Sequence, residues 1–552
     1  MNHPTRRQVL ALMGLGAATI ASGGALAACS KPPSSGGAAT DVTGLDAILP
    51  KYQPLSLVKP DIPGTRPMAD GFLTYPANLV DAITTKPGTT GQKVTAMTPW
   101  WGPTPPGLGS NAYYAAINSE LGVDVEFSVQ DGNTYADKLA ASLGARDVPD
   151  LLCIPSWEYP KIPRFSEAVK TLFEDLTDHL KGDAVLAYPM LANLPTEAWR
   201  HAVWGGRLVA IPWPNDGTPF PWALFYRKDL FDAQSISVPK TMQELVTIGK
   251  QVTDQGKGVW AFNNVFDMVQ MFHKVPGSEG GWRRNADGSL THKYETPEYR
   301  TALEATAQIY QDGLVHPDLV ASEGGDAKQL FRSGKILFMQ DGPGAWQGMQ
   351  RDESKVTPTF NMQPVPVFSA SGGDPLVWRA DAPVFYTFIK KGQSADRVKE
   401  LLGVLNWAAA PLGTKEFELL KYGKEGTHFT RAPDGAPAVN DLAKSEIADQ
   451  FFFIAGRSPA IIGSPETPNY VKDLLAFANS QIKYLEPNPW QGIKLEWPSA
   501  YSAVNQPTED AITDIVRGRR PVTDLDSVVA EWKAGGDVGR DFLRQALADN
   551  GR

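Results

Sequence analysis

Tryptophan carries the most suggestive chemistry in this chain. Trp100 and Trp101 follow one apolar run and Trp157 another, Trp213 and Trp222 flank a Pro-rich stretch, Trp346 lies in a GPGAW turn, and Trp378 precedes a second break. All seven fall at expected strand ends or crossovers. A flat indole stacks on the C–H face of a sugar ring, whereas the ring hydroxyls demand hydrogen-bond donors and acceptors. Glu158, Asn215, Asp216, Asp341, Arg379 and Asp381 stand beside these tryptophans, so the set suits a polyol guest. Taken singly, each tryptophan fits core or hinge packing as well as contact, and each polar residue fits a solvated surface.

Catalytic spacings are another matter. A glycoside hydrolase needs two carboxylates about 5–9 Å apart, and 61 acidic residues make some such pair inevitable, so their number says nothing. No GxSxG elbow occurs. The seven histidines and two cysteines show neither HExxH nor paired-Cys spacing, and the Gly-rich turns GSEGGW and DGPGAW lack the Lys-Ser/Thr of a phosphate loop. We expect no catalytic residue, no metal site and no cofactor.

The elements that must position these residues follow an α/β rhythm. Strands are expected at residues 93–98 and 123–130 and in PDLLCIP, helices at 111–121 and 135–144, and GGRLVAIPWP reads as a strand running into a crossover. Strand, helix and strand at short intervals predict a parallel sheet with right-handed crossovers. Periodic helices recur at 297–311, 395–408 and 524–548. Asp216-Gly217 and Pro214, Pro219 and Pro221 have the backbone chemistry of a hinge or of an ordinary loop. Cys153, in LLCIP, reads as a buried small hydrophobe.

Before this body lie three different segments. Arg6 and Arg7, the apolar stretch from Val9 to Ile20 and Leu26-Ala-Ala-Cys29 read as a removed signal peptide over 1–28, with Cys29 the lipidated first residue. Residues 29–44 have the composition of a flexible tether, and the Pro-rich 45–92 reads as an extended arm wrapped on the body. The net charge of −9 becomes about two units more negative once Arg6 and Arg7 are gone, which argues against a nucleic-acid partner. No further apolar stretch is long enough to cross a membrane. The chain is expected to be exported and held at the outer face of the cytoplasmic membrane by lipid.

At Tyr226-Arg-Lys-Asp-Leu-Phe231, followed by VPKTMQELVTIGKQVTD, the chain resembles the extracellular solute-binding proteins of carbohydrate ABC importers. Four further segments resemble that family in order: Tyr135-Ala-Asp-Lys-Leu with Val148-Pro-Asp-Leu, Gly206-Arg-Leu-Val-Ala-Ile-Pro212, Leu330-Phe-Arg-Ser-Gly-Lys-Ile-Leu-Phe-Met, and Gly342-Pro-Gly-Ala-Trp346, the turn that carries a sugar-facing aromatic. Tyr422-Gly-Lys-Glu-Gly-Thr-His-Phe-Thr and the closing Trp532-Lys-Ala-Gly-Gly-Asp are similar to its large lipoprotein branch, which includes binders of oligosaccharides and alginate-like chains. Where some members carry an acidic calcium loop, this chain reads TDQGKGVW, and Asn285-Ala-Asp-Gly-Ser is too short for a set of oxygen ligands. Export in the folded state by the twin-arginine route is also implied by resemblance, from TRRQVL.

The resemblance implies a two-lobed, periplasmic-binding-protein-like α/β fold (type II), with the ligand cleft between lobes at strand ends. Lobe 1 is expected at 93–212 plus 383–440, lobe 2 at 222–374 plus 441–552, and hinge segments at 213–221 and 375–382. The expected activity is capture of an oligosaccharide or related polyol by a monomer, and delivery to separate ABC permease subunits by lobe closure. The expected ligand contacts are Trp100, Trp101, Trp157, Glu158, Trp213, Asp216, Trp222, Asp341, Trp346, Trp378 and Arg379. The alternatives are a secreted carbohydrate-active enzyme and a receptor for peptides or another non-sugar nutrient.

Overall fold

The computed structural model describes residues 38–39 and 44–552, apart from 163, 215–216, 322–325, 381–382 and 465. Nine strands, taken in chain order, build two main sheets: β1 (Val94–Trp100), β2 (Val125–Asp131), β3 (Leu151–Pro155), β4 (Ala210–Trp213), β5 (Ala223–Arg227), β6 (Trp260–Phe262), β7 (Ile336–Asp341), β8 (Met362–Val365) and β9 (Phe385–Ile389). The first sheet has the order β2-β1-β3-β9-β4, the second β6-β7-β5-β8. Every residue of β3, β5 and β9 is buried, as unbroken apolar strands covered on both faces require.

β1 runs parallel to β2 and β3, and β6 runs parallel to β7. The expectation of wholly parallel sheets is corrected elsewhere: β9 is antiparallel to β3 and β4, and β5 is antiparallel to β7 and β8. The cause is connectivity. β5 and β9 each enter their sheet by a crossover from the opposite lobe, so the right-handed strand–helix–strand constraint does not set their direction.

Each sheet has its own core. Val94, Leu152, Trp204, Tyr386 and Leu401 belong to the first, and Phe225, Phe262, Phe338, Trp346 and Trp532 to the second. Phe451, Phe452 and Ile454, on the short helix Gln450–Ile454, pack into the first core. The last passage between lobes therefore lies at 455–459, later than the boundary after 440 that the sequence suggests. The three crossovers support one another: Val384 N donates to the Trp213 carbonyl at 2.9 Å and Ala380 N to that of Pro219 at 2.9 Å. A Cβ on Gly456 would come within 2.4 Å of the Pro212 carbonyl, so only glycine fits there.

Residues 45–92 touch both lobes. Leu45 and Leu49 lie in the first core, Met68 and Ala69 in the second, and Asp70–Phe72 pairs in parallel with Ala460–Ile462. Ala69 N donates to the Gly217 carbonyl at 3.0 Å, directly on the first crossover, and Glu400 then receives Thr89 N at 2.7 Å and Thr90 N at 2.8 Å back on the first lobe. A further tie joins the lobes at 494–496. Lys494 donates to the His201 and Val203 carbonyls and its ammonium sits 3.7 Å over the Trp204 ring, while Glu496 accepts Ser166 N at 2.7 Å. Among the described residues no helix is long and apolar enough to cross a membrane. Arg6, Arg7, Cys29 and most of the expected tether lie outside the described residues.

Candidate functional site

The direction of the strands decides where side chains collect. β1, β3 and β4 end, and β9 begins, at the same edge of the first sheet, where Phe385 pairs in register between Pro155 and Trp213. The first crossover leaves from this edge and delivers the chain to the start of β5, where Ala223 pairs with Asp341 at the end of β7. The two sheets thus turn these edges toward a common boundary, the position at which open α/β sheets hold ligands.

Six aromatic rings meet at the first edge. Trp213 stacks on Phe385 at 4.8 Å and 14°, Phe453 lies 4.8 Å from Phe385, and Trp157 lies 5.5 Å from it. Trp101 stands 6.0 Å from Trp157 and 6.3 Å from Phe453, and Trp100 stands 6.1 Å from Phe453. Each such pair is worth about 0.5–1.5 kcal/mol beyond the area it buries, so the cluster is a stiff platform. Beneath it Cys153 is fully buried and its thiol donates to the Phe453 carbonyl at 3.3 Å. Burial pushes that thiol's pKa well up, which leaves it unreactive.

Two rings of the platform remain open. Trp101 is 47 % exposed and Trp157 43 % exposed, against a background of buried aromatic neighbours. Trp101 rests on bare backbone, since a Cβ on Gly132 would come within 2.2 Å of its indole. Glu158 is buried beside this surface, and Lys161 Nζ donates to its carboxylate at 3.1 Å. An acidic acceptor next in the chain to an open indole is a pairing that suits a polyol.

The second edge is made differently. Trp222 is partly open, and Asp341 receives Gly342 N at 2.8 Å and faces Lys328 Nζ at 3.5 Å. Arg379 is half-buried at the second crossover. Burial, then Lys494 and Arg379, hold the His201 imidazole down to a pKa of about 3.

Two expected contacts are not brought to the surface. Trp346 is 2 % exposed and packs against Phe225 at 5.7 Å and Tyr470 at 5.5 Å, because the turn before it starts the helix Ala345–Ser354 and directs the indole inward. Trp378 is buried as well, with Nε1 donating to the Val275 carbonyl at 2.8 Å. Asp216, with Asn215 and Asp381, lies outside the described residues. Phe385 and Phe453, the centre of the platform, are not among the candidates drawn from the sequence. Phe385 opens an ordinary apolar strand, and Phe453 is the last of three phenylalanines in a row, so no local pattern marks either.

Among the described residues no three His, Cys, Asp or Glu side chains converge as a metal site would require. In the segment compared with the calcium loop, Lys257 Nζ lies 2.8 Å from Asp254 and so occupies its carboxylate. Asn285 to Ser289 closes a tight hairpin in which Asp287 accepts Ser289 N at 2.9 Å.

Comparison with known proteins agrees with this architecture. The Bacillus subtilis (strain 168) polygalacturonan/rhamnogalacturonan-binding protein YtcQ is 20 % identical over 54 % of this chain, a match that spans 59 % of the relative's own length. The melibiose/raffinose/stachyose-binding protein MelE of the same organism is 19 % identical over 55 % of this chain and 67 % of its own. Among solved structures, the alginate-binding protein AlgQ2 without calcium ion superposes with a TM-score of 0.60 over 85 % of this chain and 100 % of its own, at 14 % identity, which shows the shared two-lobed fold. Residues 102–409 match the family described as bacterial extracellular solute-binding proteins, and the chain belongs to that family.

Proposed function

We propose that this protein is the capture component of an ABC importer, gripping an oligosaccharide or related polyol between its lobes. The observation that carries the reading is the six-ring platform with Trp101 and Trp157 open at the edge facing the second lobe. Monomeric soluble proteins rarely leave large rings uncovered on a stiff support unless something lies on them. Sugar C–H faces stack on the two indoles, while Glu158 and the polar second edge receive hydroxyls. A guest touching both edges favours the closed arrangement of lobes, and separate permease subunits then receive it.

YtcQ, MelE and AlgQ2 are all named for binding glycans, which supports the class without choosing the ligand. Export with a twin-arginine signal over 1–28, lipid attachment at Cys29 and a monomeric body belong to the same proposal. So do Trp100, Trp213, Trp222, Asp341 and Arg379 as further contacts, and the hinge roles of 213–221 and 375–382. We do not assign turnover to the site.

The test is a thermal-shift panel of neutral and acidic oligosaccharides on the body from residue 45 onward, with product analysis of each mixture. A true ligand at 100 times its dissociation constant stabilises the folded state by about 2.7 kcal/mol. A flat response to every glycan would move the reading to peptides or other nutrients, and appearance of shortened sugars would move it to an enzyme.

A further inference from the structure

On the second lobe, at the same edge, lies a group of polar side chains, of which Lys293, Tyr294 and Tyr299 form no side-chain hydrogen bond among the described residues while Asp267 is held by Gln340 and Gln270. Asp267 stands in the first turn of the helix Phe266–Phe272, just past the end of β6, and Gln340 is the penultimate residue of β7. Gln340 is itself fixed: its N–H donates to the Asn263 side-chain oxygen at 2.8 Å, Asn263 Nδ2 donates to its carbonyl at 3.0 Å, and its own Oε1 accepts Met268 N at 3.0 Å. Its Nε2 then donates to Asp267 at 2.9 Å, which aims the carboxylate.

Lys293 follows the hairpin Trp282–His292 and reaches this place along bare backbone, for a Cβ on Gly281 would fall 2.5 Å from its stem. Its ammonium lies 5.5 Å from the Tyr294 ring centre and 5.9 Å from that of Tyr299, within electrostatic reach of Asp267 and Glu509. Yet among the described residues no carboxylate pairs with it directly and no hydrogen bond engages it. Tyr294 and Tyr299 are 6 % and 2 % exposed as whole residues, and among the described residues neither hydroxyl forms a hydrogen bond, although neither is a fully enclosed atom. The Tyr294 and Tyr299 rings lie 5.1 Å apart, and Phe266, the neighbour of Asp267, lies 6.0 Å from Tyr299, so the ammonium, the two phenols and Asp267 are neighbours. Three donors without a protein partner among the described residues, beside a carboxylate fixed by Gln340, describe a place where hydroxyl groups can bind.

We propose that Lys293, Tyr294, Tyr299 and Asp267 form the hydroxyl-reading subsite of the second lobe, which takes the polyol edge of one uncharged sugar ring. A ring hydroxyl accepts from Lys293 or a phenol and donates to Asp267, bridging groups that do not reach each other. The Asp267 carboxyl group, held in place by Gln340, would confront the carboxylate of a uronate, so an acidic ring is disfavoured. This inference rests on the oligosaccharide reading above and adds to it the second set of contacts and the charge of the ligand.

The experiment is isothermal titration of the wild type and of Tyr299→Phe, Lys293→Met and Trp101→Ala with raffinose, stachyose and trigalacturonate. Removing the Tyr299 hydroxyl costs no hydrogen bond in the free protein, so its melting temperature stays level or rises while affinity for the neutral sugars falls roughly 5- to 30-fold. Lys293→Met behaves likewise, and trigalacturonate binds the wild type at least ten times more weakly than stachyose. If Trp101→Ala loses the neutral sugars while Tyr299→Phe and Lys293→Met bind them normally, the subsite is wrong and the platform stands. Tighter binding of trigalacturonate also overturns the subsite. If no glycan binds the wild type, the reading on which the subsite depends falls with it.

Discussion

The two edges that face each other across the crossovers are built from opposite materials. On the first, four tryptophans cluster around Phe385 and Phe453 and leave Trp101 and Trp157 uncovered. On the second, Trp346 and Trp378 turn into the core, and the edge itself carries Asp341, Gln340, Asp267 and Lys293. Strand ends explain the contrast. In the first lobe the tryptophans fall one or two residues beyond a strand, where the backbone has left the sheet and no layer covers them. In the second, the helix Ala345–Ser354 starts soon after β7 and its first turn folds the Trp346 indole inward, while Trp378, on no helix, is held by its bond to the Val275 carbonyl. Indole is thus a surface group at Trp101, Trp157 and Trp222 and packing at Trp346 and Trp378, so residue type alone does not assign its role.

Four measurements sharpen or break this comparison. Trp346→Ala empties a core position and is expected to cost about 3–5 kcal/mol of stability, read as a lower melting temperature, while the folded fraction keeps wild-type affinity. A loss of affinity without a loss of stability would put Trp346 back in the site. Next comes pH. Burial raises the Glu486 carboxyl from 4.5 to about 7 despite the N–H groups of Gly277 and Ser278 that it accepts at 3.0 Å each. Its folded-state pKa is the higher one, so its contribution is present below pH 4.5 and is lost as pH rises through about 7. Over that window chemical denaturation should show stability falling by no more than about 3 kcal/mol, and Glu486→Gln should remove the slope. An unchanged slope would assign it to other groups.

The third is Trp101→Ala, expected to weaken a bound oligosaccharide by roughly 2 kcal/mol, about thirtyfold, with a smaller drop in melting temperature than Trp346→Ala because the ring is half open. A structural role would show the reverse pattern. The smallest effect is that of Gly132→Ala. The added methyl meets the Trp101 indole at 2.2 Å, so the ring must tilt, and we expect affinity to fall by about tenfold with tryptophan fluorescence altered in the free protein. Wild-type binding and emission together would show that the indole has another resting place.

Much of both lobes is legible along the chain. Asn111 precedes an apolar helix and caps it through Tyr114 N, and the helices Pro297–Gln311 and Ala395–Ala408 have the bounds that their periodicity predicts. Cys153 in LLCIP is the buried hydrophobe that its neighbours suggest. These depend on contacts between residues a turn or a strand apart, and such contacts are written locally. The order of family-like segments identifies the two-lobed α/β fold for the same reason, since each segment is a local signature.

What the sequence leaves open depends on partners far away in the chain. The reversed direction of β5 and β9 follows from which lobe each comes from, and the last crossover at 455–459 is set by Phe451 and Phe452 finding the first core. The platform joins residues 101, 157, 213, 385 and 453 through five separate elements, and no spacing encodes that meeting. The chain by itself determined that aromatic and polar residues stand at strand ends. The tertiary structure decided which of them face solvent, because exposure depends on what covers a residue, and here the covering layer comes from elsewhere in the chain.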